Sequence, residues 1–370
     1  MKVLIIGEFS AFAKNLAIGI NSIEGNEAIV FSYEDGFKKI QQDGESYTYP
    51  KPHNYCFLGI ELRGSHVISG RFLYRRFKRD LSKFKSYFDA VFIISYTLLR
   101  ETNNHSVPLF SKEDVLYAVK DPSKVFLSSC GGDIAYYKFA LQDKRFKTVY
   151  KETSILNNKL YKSLEKIASE IVSRVIPMSY QYHEAYRLFG SQFLLMNPIP
   201  LPFDSNSVLQ KQSYFYRGKI VIFNGGLRPT KGNYFIDRAL KKIEIKYKDK
   251  IIIRRDRMPY EQFLSFLKEI DIYIDLCTDY DYGMSAIAAM LAGCVVISGN
   301  EPETRRTMGR LDIPIISGCP DSEQLYHVIE DLILHPKKIE EIGRKSAKYA
   351  KEVHDCKILA PVYLKAFSGI

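Results

Sequence analysis

The sequence predicts an α/β protein of two domains, each with a doubly wound parallel sheet, facing each other across a cleft. Short apolar runs alternate with stretches of helical periodicity, which is typical of strands buried on both faces of a parallel sheet. The alternation stops in a proline-rich segment at 197–212 and then starts again. The chain has 370 residues, 46% of them hydrophobic, which is enough for two cores of average size.

Six strands are predicted before the proline-rich segment. The first is an apolar run ended by Gly7, and helical periodicity follows Ser10 as far as Ile20. Another helical pattern occupies 159–173. The predicted strands are 2–6, 28–31, 89–95, 125–128, 175–179 and 193–196. Since strands and helices alternate, we expect one parallel sheet in this half.

The same alternation predicts a second sheet after the proline-rich segment. The predicted strands are 220–223, 251–253, 271–276 and 295–298. The predicted helices are 231–245, 260–270, 283–291, 322–334 and 338–353, with a weaker pattern at 359–367. We therefore divide the chain into a domain at 1–198, a domain at 199–355 and a segment at 356–370 that packs back on the first domain.

Charge and composition restrict the classes of function. The net charge of +11 favours an anionic partner such as a nucleotide diphosphate, a phospholipid or a nucleic acid. No recognition motif or basic repeat supports a nucleic acid, so none is expected. The sequence contains no C-x-x-C pair and no H-E-x-x-H, so no metal site is predicted. The longest apolar stretch, 286–297, is far shorter than the roughly 20 residues of a membrane span, and we expect a cytoplasmic protein.

A glycine-rich loop at 224–232, NGGLRPTKG, follows the first strand of the second half and opens a helix. Backbone N–H groups at the start of a helix form an anion site when glycines allow close approach. The side chains of Arg228 and Lys231 would add positive charge. The alternative is a plain strand-to-helix turn with solvated bases. The glycines of this loop are Gly225, Gly226 and Gly232.

A second motif follows the predicted strand at 271–276. A loop leads to Gly283, which opens a helix rich in small residues. The first amides of this helix, at Gly283, Met284 and Ser285, can face a diphosphate. The alternative is a helix that is buried and has no other role.

The order of these two motifs resembles the second domain of the GT-B glycosyltransferases, in particular the large retaining family with a glycosyltransferase group 1 (family 4-like) domain. Lys231 and Gly232 match the Lys-Gly of that family, Gly283 matches its later glycine, and 289–293 match its helix. The resemblance implies two Rossmann-like domains. It also implies a nucleotide diphosphate sugar bound by 199–355, a saccharide or lipid-linked acceptor bound by 1–198, no cofactor, no metal and retention of anomeric configuration.

The motifs and the resemblance together predict the site residues. The predicted catalytic residues are Asp133, Lys231 and Arg228. The predicted donor-binding residues are Gly225, Gly226, Lys231, Gly232, Tyr282, Gly283, Met284, Ser285 and Glu303. The predicted acceptor-binding residues are Gly7, Ser10, Asp35, Gly36 and Gly132.

Asp133 is the predicted acid of the first domain. It ends the segment SCGGD at 129–133, which resembles the Gly-x-Asp that many family members place at the cleft. A carboxylate there would accept a hydrogen bond from an acceptor hydroxyl or deprotonate it. The alternative is a helix N-cap, because a helical pattern follows directly.

The chain departs from the family at two glutamates, whose positions fall on Tyr280 and Ala288. Nearby acids are Asp279, Asp281, Glu301 and Glu303, and Glu303 follows the strand at 295–298. Two alternatives to an active transferase stay open: an inactive homologue acting as a partner subunit, and a nucleotide-sugar epimerase. The tripeptide at 279–281 also matches the D-x-D that binds a metal-nucleotide in the other main glycosyltransferase fold.

A basic amphipathic helix is predicted at 71–88, RFLYRRFKRDLSKFKSYF. Its apolar residues recur at helical spacing, and seven basic residues lie among them. Such a helix can lie on anionic lipid, which would place the protein on the inner face of the plasma membrane. The alternative is a helix with one face packed on the sheet and a solvated basic face. We interpret His354 as structural.

Overall fold

The computed structural model describes residues 1–34, 36–57, 60–107, 109–143, 154–215 and 218–369. Within them, six strands of the first half form a parallel sheet in the order β3-β2-β1-β6-β7-β8, and β4 and β5 form a separate antiparallel pair. These strands are β1 (Lys2–Ile6), β2 (Glu27–Tyr33), β3 (Ser46–Tyr49), β4 (Cys56–Phe57), β5 (Ile60–Glu61), β6 (Ala90–Ile93), β7 (Val125–Ser128) and β8 (Arg174–Ile176).

Helices cover both faces of this sheet, because its strands are apolar on both sides. Leu4 and Ile6 belong to one core cluster, whereas Val3 and Ile5 belong to another. The helices of this half are α1 (Phe12–Asn21), α2 (His66–Leu81), α3 (Lys112–Ala118), α4 (Ile134–Gln142), α5 (Ser154–Asn157), α6 (Lys159–Ile171) and α7 (Tyr180–Phe189).

The second half forms a five-stranded parallel sheet in the order β10-β9-β11-β12-β13. Its strands are β9 (Ile220–Asn224), β10 (Ile251–Arg254), β11 (Ile272–Ile274), β12 (Val295–Ser298) and β13 (Ile316–Ser317). The helices of the second half are α8 (Asn233–Tyr247), α9 (Tyr260–Phe266), α10 (Met284–Ala292), α11 (Pro302–Thr307), α12 (Ser322–Leu334), α13 (Pro336–His354) and α14 (Cys356–Ser368). The predicted α/β class with two parallel sheets is confirmed.

In each sheet the strand order reverses at one place, between β1 and β6 and between β9 and β11. Parallel sheets of this kind bind ligands beyond the carboxyl ends of the strands at that reversal. A ligand is therefore expected at the loops after β1 and β9.

Two predicted elements were wrong. The segment 193–196 is not a strand: Leu195 makes one isolated bridge to Val175, and the neighbouring Leu194 is exposed. The basic helix predicted at 71–88 begins earlier, at His66, and ends at Leu81. A short 3-10 turn follows, and Ser86 then adopts a positive φ of 47° that no α-helix allows.

The proline-rich segment at 197–212 is packed rather than loose. Phe203 is buried, and its N–H donates to the carbonyl of His354 while its own carbonyl accepts from the N–H of Cys356 (2.6 and 2.8 Å). The two places where the chain passes between the sheets therefore run side by side. His354 is buried as well, bonded through Nδ1 to the Leu201 carbonyl and through Nε2 to the Tyr282 hydroxyl, and burial lowers its pKa to about 4.

Helix α14 packs on the first domain. The Tyr363 ring contacts Phe12 and Phe92, and Phe367 contacts Phe92 and Phe126. Gly19 of α1 permits this contact, since a Cβ there would lie 2.3 Å from the Cys356 carbonyl oxygen.

Candidate functional site

Asp275 organises the carboxyl edge of the second sheet. It directly follows β11, next to the strand-order reversal, and it is 1% exposed. Its Oδ1 accepts hydrogen bonds from Lys231 Nζ at 2.6 Å and from Ser285 Oγ at 2.8 Å, and its Oδ2 accepts from Ser298 Oγ at 3.2 Å. Burial alone would raise the pKa of Asp275, but Lys231 and the two serines hold it below the usual range. The result is a buried aspartate with an ammonium partner.

Two loops hold Lys231 in this position. The N–H of Cys277 donates to the Lys231 carbonyl, and the Thr278 hydroxyl donates to the Thr230 carbonyl. Gly232 ends the short turn in the left-handed region, with φ 84°, and a Cβ there would lie 2.3 Å from the Cys277 sulfur. No residue other than glycine fits both the backbone conformation and the contact. Lys231 therefore lies on a rigid turn at the start of α8.

The other predicted residues of the glycine loop (224–232) have different surroundings. Gly225 packs against the Tyr273 hydroxyl, and Gly226 packs against Ile236. Arg228 is exposed just before the turn that carries Lys231. The two glycines thus serve the packing of the sheet edge, and the loop offers Lys231 and Arg228 as cations.

The predicted donor residues at the start of α10 divide into two groups. Ser285 reaches Asp275, and a Cβ at Gly283 would meet no atom within 4 Å, so the helix start is uncrowded. The side chains of Met284 and Tyr282 are instead buried in the core, and the Tyr282 hydroxyl is bonded to Tyr349 and His354. Only the backbone of these two residues remains available to a ligand.

The acidic loop (279–281) follows this cluster. One carboxyl oxygen of Asp279, Oδ1, is buried and accepts no hydrogen bond from any described residue. Burial, and then the charges of Asp281 and Asp275, raise the pKa of Asp279 to about 7, although Lys231 acts in the opposite direction. Asp279 is therefore an acid poised near neutral pH beside the Lys231–Asp275 pair.

The acidic loop also contacts the first domain. The N–H of Gln181, in the first turn of α7, donates to Asp281 Oδ2 at 2.9 Å, and the Gln181 side-chain oxygen accepts from the N–H of Tyr280 at 3.3 Å. The Tyr280 hydroxyl donates to Asp143 at 2.9 Å. A second contact joins Lys14 of α1 to Glu261 of α9 at 3.4 Å. The cleft is closed at these two places.

Glu303, predicted to bind the donor, lies on α11 at the domain boundary. Its carboxylate accepts from Arg306 at 3.2 Å. Burial, and then the charges of Glu184 and Glu303, raise the pKa of Tyr180 on the opposite domain. The structure thus places Glu303 near the cleft but beside Tyr180, and not in the Lys231–Asp275 cluster.

Asp133 is an N-cap, which corrects the prediction that it reaches the cleft. Its Oδ1 accepts from the N–H of Tyr136 at 2.8 Å and its Oδ2 from the hydroxyl of Tyr186 at 2.7 Å. The side chain is 1% exposed, and burial raises its pKa to about 6 against these two bonds. Both oxygens are used inside the first domain, because α4 and α7 pack together over them.

The predicted acceptor residues do not converge on one group. Ser10 accepts from Lys38 at 2.6 Å, in a loop where Ser10 and Ala11 both have positive φ. Gly7 packs against Leu98, and Gly132 packs against Tyr137. Gly36 is exposed in a short turn, and Asp35 lies outside the described residues.

Sequence reasoning missed Asp275, Gln181 and Glu8. Glu8 directly follows the loop glycine after β1, is 6% exposed, and accepts from the N–H of Lys14 and from Gln42, both at 2.9 Å. Asp275 lies inside the predicted strand at 271–276, where no motif marked it as part of a site. The contact of Gln181 depends on how the two domains meet, which no sequence pattern reports.

The described residues contain neither a candidate metal site nor a candidate membrane span. No group of three or more His, Cys, Asp or Glu side chains in this part of the chain is arranged to hold a metal ion. None of its helices is both long and apolar enough to cross a membrane.

No protein-family model and no curated protein matches the chain. Its structure, however, is similar along the whole length to solved GT-B glycosyltransferases. Sucrose-phosphate synthase from Thermosynechococcus elongatus has a TM-score of 0.62 at 10% identity, covering 100% of both chains. Anabaena HepE in complex with UDP and glucose has a TM-score of 0.62 at 14% identity, also covering 100% of both.

A third solved structure is an alpha-glucosyltransferase in complex with UDP and a 13-mer DNA. It has a TM-score of 0.61 at 12% identity and covers 100% of this chain and 99% of that one. Likeness at such identities establishes the fold, and the chain has the GT-B fold. The D-x-D alternative, which belongs to the other main fold, loses its basis.

Proposed function

We propose that the protein is a glycosyltransferase that moves a sugar from a nucleotide diphosphate sugar to a saccharide acceptor. The observation that carries this proposal is the Lys231–Asp275–Ser285 cluster at the strand-order reversal of the second sheet. HepE, which has the same fold, was solved in complex with UDP and glucose.

The cluster suits a leaving diphosphate. Lys231 supplies a positive charge on a rigid turn, and the start of α10 adds backbone N–H groups and the positive end of a helix dipole. Fixed positive groups stabilise the charge that develops when a sugar–phosphate bond breaks. Asp275 holds Lys231 in place, so that the ammonium is oriented before the ligand arrives.

The finer assignments follow from the resemblance and extend the proposal. The transfer retains anomeric configuration, uses no bound metal and needs no enzyme nucleophile. The acceptor is a lipid-linked saccharide or a growing surface polysaccharide held by the first domain. Asp133 has no direct part in it, because its carboxylate is committed to the N-cap and to Tyr186.

A thermal-shift screen tests the donor. UDP, GDP, dTDP, ADP and their sugars are added to the wild type, and a ligand at 100 times its Kd is expected to add about 2.7 kcal/mol of stability. Lys231→Ala should lose at least about tenfold in affinity, or 1.4 kcal/mol. Lys248→Ala is the matched control, since Lys248 is exposed at the opposite end of α8. Equal nucleotide affinity in the wild type and both variants would show that Lys231 does not bind the donor.

Mass spectrometry then separates the remaining alternatives. A transferase gives a sugar-extended product with lipid-linked acceptors, whereas an epimerase converts the donor when no acceptor is present. Binding of the donor without any product or released nucleotide across a broad acceptor panel would favour the inactive partner subunit.

We further propose that the protein is cytoplasmic and binds the inner face of the plasma membrane through α2. Ile68 and Phe72 are 63% and 69% exposed on this helix. Arg71, Arg75 and Arg79 are exposed beside them. Apolar side chains next to basic ones suit the interface of an anionic bilayer, where each basic residue adds about 1 kcal/mol.

Liposome cosedimentation tests this surface. Changing Arg71, Arg75 and Arg79 of α2 to glutamine should release the protein from vesicles containing phosphatidylserine. The matched control removes three exposed basic residues from α13: Arg344, Lys345 and Lys348. Equal binding of both variants and the wild type would reject α2 as the contact.

A further inference from the structure

The acidic loop contains a carboxyl group whose bonding is incomplete. Asp279 Oδ1 is buried and accepts no hydrogen bond from the described residues. Asp275 and Asp281 lie close enough to raise its pKa, and Lys231 close enough to lower it. Asp279 is thus influenced by two other carboxyl groups and by one ammonium, and the ammonium is already bonded to Asp275. A buried carboxyl oxygen without a donor is unfavourable unless something else supplies one.

The charges indicate what kind of ligand group could supply that donor. A phosphate at Asp279 would be repelled by three carboxyl groups, whereas a phosphate at Lys231 would be attracted. A neutral hydroxyl, in contrast, donates a hydrogen bond to a carboxylate without adding negative charge. The two positions therefore suit the two ends of one ligand that has an anionic group and hydroxyl groups.

The geometry keeps these two ends close together. Cys277 and Thr278 are bonded to the turn that carries Lys231, and Asp279 is the next residue along the chain. On its other side, the acidic loop is fixed by Gln181, which bonds the backbone of Tyr280 and the carboxylate of Asp281. Gln181 belongs to the first domain, so the loop has this position only when the two domains are in contact.

The neighbouring acids have partners of their own. Asp281 Oδ2 accepts from the N–H of Gln181, although Asp281 Oδ1, like Asp279 Oδ1, is buried and accepts no hydrogen bond from the described residues. Glu301 accepts from the Ser317 hydroxyl at 2.8 Å. Glu303 accepts from Arg306. Among the acids near this edge that the structure describes, Asp279 combines proximity to Lys231 with an oxygen that awaits a donor.

We infer that Asp279 accepts a hydrogen bond from a hydroxyl of the donor sugar, and that Gln181 of the first domain positions the loop that carries it. This inference rests on the proposed function, because it requires the diphosphate of a nucleotide sugar to bind at Lys231. Asp279 thereby determines how strongly the sugar, as distinct from the nucleotide, contributes to binding.

Calorimetry with a nucleotide and its sugar separates the two contributions. UDP and UDP-glucose, and GDP and GDP-mannose, are titrated into the wild type, Asp279→Asn and Asp249→Asn. Asp249 is the matched control, an exposed aspartate just before β10 at the opposite edge of the same sheet. Asp279→Asn should weaken binding of the sugar nucleotide about five- to tenfold and leave the nucleotide diphosphate unchanged, whereas Asp249→Asn should change neither.

A pH series gives a second readout that a structural role would not produce. A charged carboxylate accepts a stronger hydrogen bond than a neutral acid. The extra affinity due to the sugar should therefore rise between pH 6 and pH 8 in the wild type and stay constant in Asp279→Asn. The other groups that face Asp279 are Asp275, Asp281, Lys231 and Gln181, and all of them are retained in this variant.

Each outcome decides the inference. Equal losses for nucleotide and sugar nucleotide would mean that Asp279 acts on the diphosphate end, which overturns it. No loss for either ligand overturns it as well. A wild type that binds no nucleotide at all would instead refute the proposed function, which is a distinguishable result.

Gln181→Ala tests the positioning part. It should reduce the affinity for the sugar nucleotide in the same direction as Asp279→Asn, with little effect on the nucleotide diphosphate. The double variant should bind no more weakly than Asp279→Asn alone, because Gln181 acts through Asp279. Additive losses would show that Gln181 has a separate role, and this part of the inference would be withdrawn.

Discussion

Two aspartates with buried carboxyl oxygens, one in each domain, show how differently the two halves use carboxylates. Asp133 of the first domain receives hydrogen bonds on both oxygens, from Tyr136 and Tyr186. Asp279 of the second domain keeps one buried oxygen that no described residue bonds. Burial raises the pKa of both, to about 6 and about 7.

The difference teaches that burial and a raised pKa do not by themselves identify a functional acid. A carboxylate that the chain itself fully satisfies is a structural group, because a ligand would have to displace existing bonds. A buried carboxylate oxygen that receives no hydrogen bond from the chain can receive one from a ligand. In this protein the second domain contains the group that awaits a partner, beside the Lys231–Asp275 pair.

The largest expected effect comes from Lys231→Ala. It leaves Asp275 buried without its cation, and we expect a loss of roughly 2–4 kcal/mol in the free energy of unfolding, since Lys231 is partly exposed. Urea unfolding at pH 7 measures this. Lys231→Met combined with Asp275→Asn should recover most of the stability and none of the nucleotide binding. If the single and double variants are equally unstable, the two side chains are not coupled.

Asp133→Ala should have the second largest effect, on stability alone. It removes the N-cap of α4 and leaves the Tyr186 hydroxyl without its acceptor, for a combined loss of about 2 kcal/mol. Asp133→Asn keeps an oxygen for the cap and should lose less. Both variants should keep nucleotide affinity and turnover once folded. A large loss of turnover in Asp133→Asn, with stability intact, would show that Asp133 takes a direct part in the reaction.

Asp279→Asn should produce the smallest effect, visible as a change in how stability depends on pH. The folded-state pKa of Asp279 lies above its usual value of 3.8. The folded protein therefore binds more protons than the unfolded one between about pH 4 and pH 7, and this group lowers stability as the pH rises. The variant should be at least about 1 kcal/mol more stable than the wild type at pH 8.

That gain should shrink as the pH falls towards the usual Asp pKa of 3.8, below which the wild-type carboxyl is protonated in both states. Unfolding of the unliganded proteins at pH 4, 6 and 8 supplies the comparison. A constant difference at all three values would show that the effect has another cause.

The sheets were predictable because their strands are continuous apolar runs. The strand at 125–128 and the helix at 322–334 have the predicted bounds. The missed elements lack that signal: β3 reads SYTY, and α3 has only seven residues. The capping box of α3, from Ser111 to Asp114, was the available cue.

The candidate site was predictable only in part. Lys231, Ser285 and the acidic loop lie where the motifs placed them, but their role in binding remains a prediction. Asp275 was hidden in the predicted strand at 271–276, since its meaning depends on β11 ending one residue before it. The contact of Gln181 with the acidic loop spans 99 residues of sequence. Such a contact follows from the docking of two domains and leaves no local pattern.

The position of α14 has a consequence for the order in which the protein is assembled during synthesis. In the folded protein, Tyr363 and Phe367 of α14 cover the rings of Phe12, Phe92 and Phe126. Those two residues leave the ribosome after the whole of the second domain. The domain whose synthesis starts first is thus completed last, and its aromatic surface stays exposed while the second domain folds. Chaperone binding to the nascent chain should therefore persist until residues 356–368 have emerged.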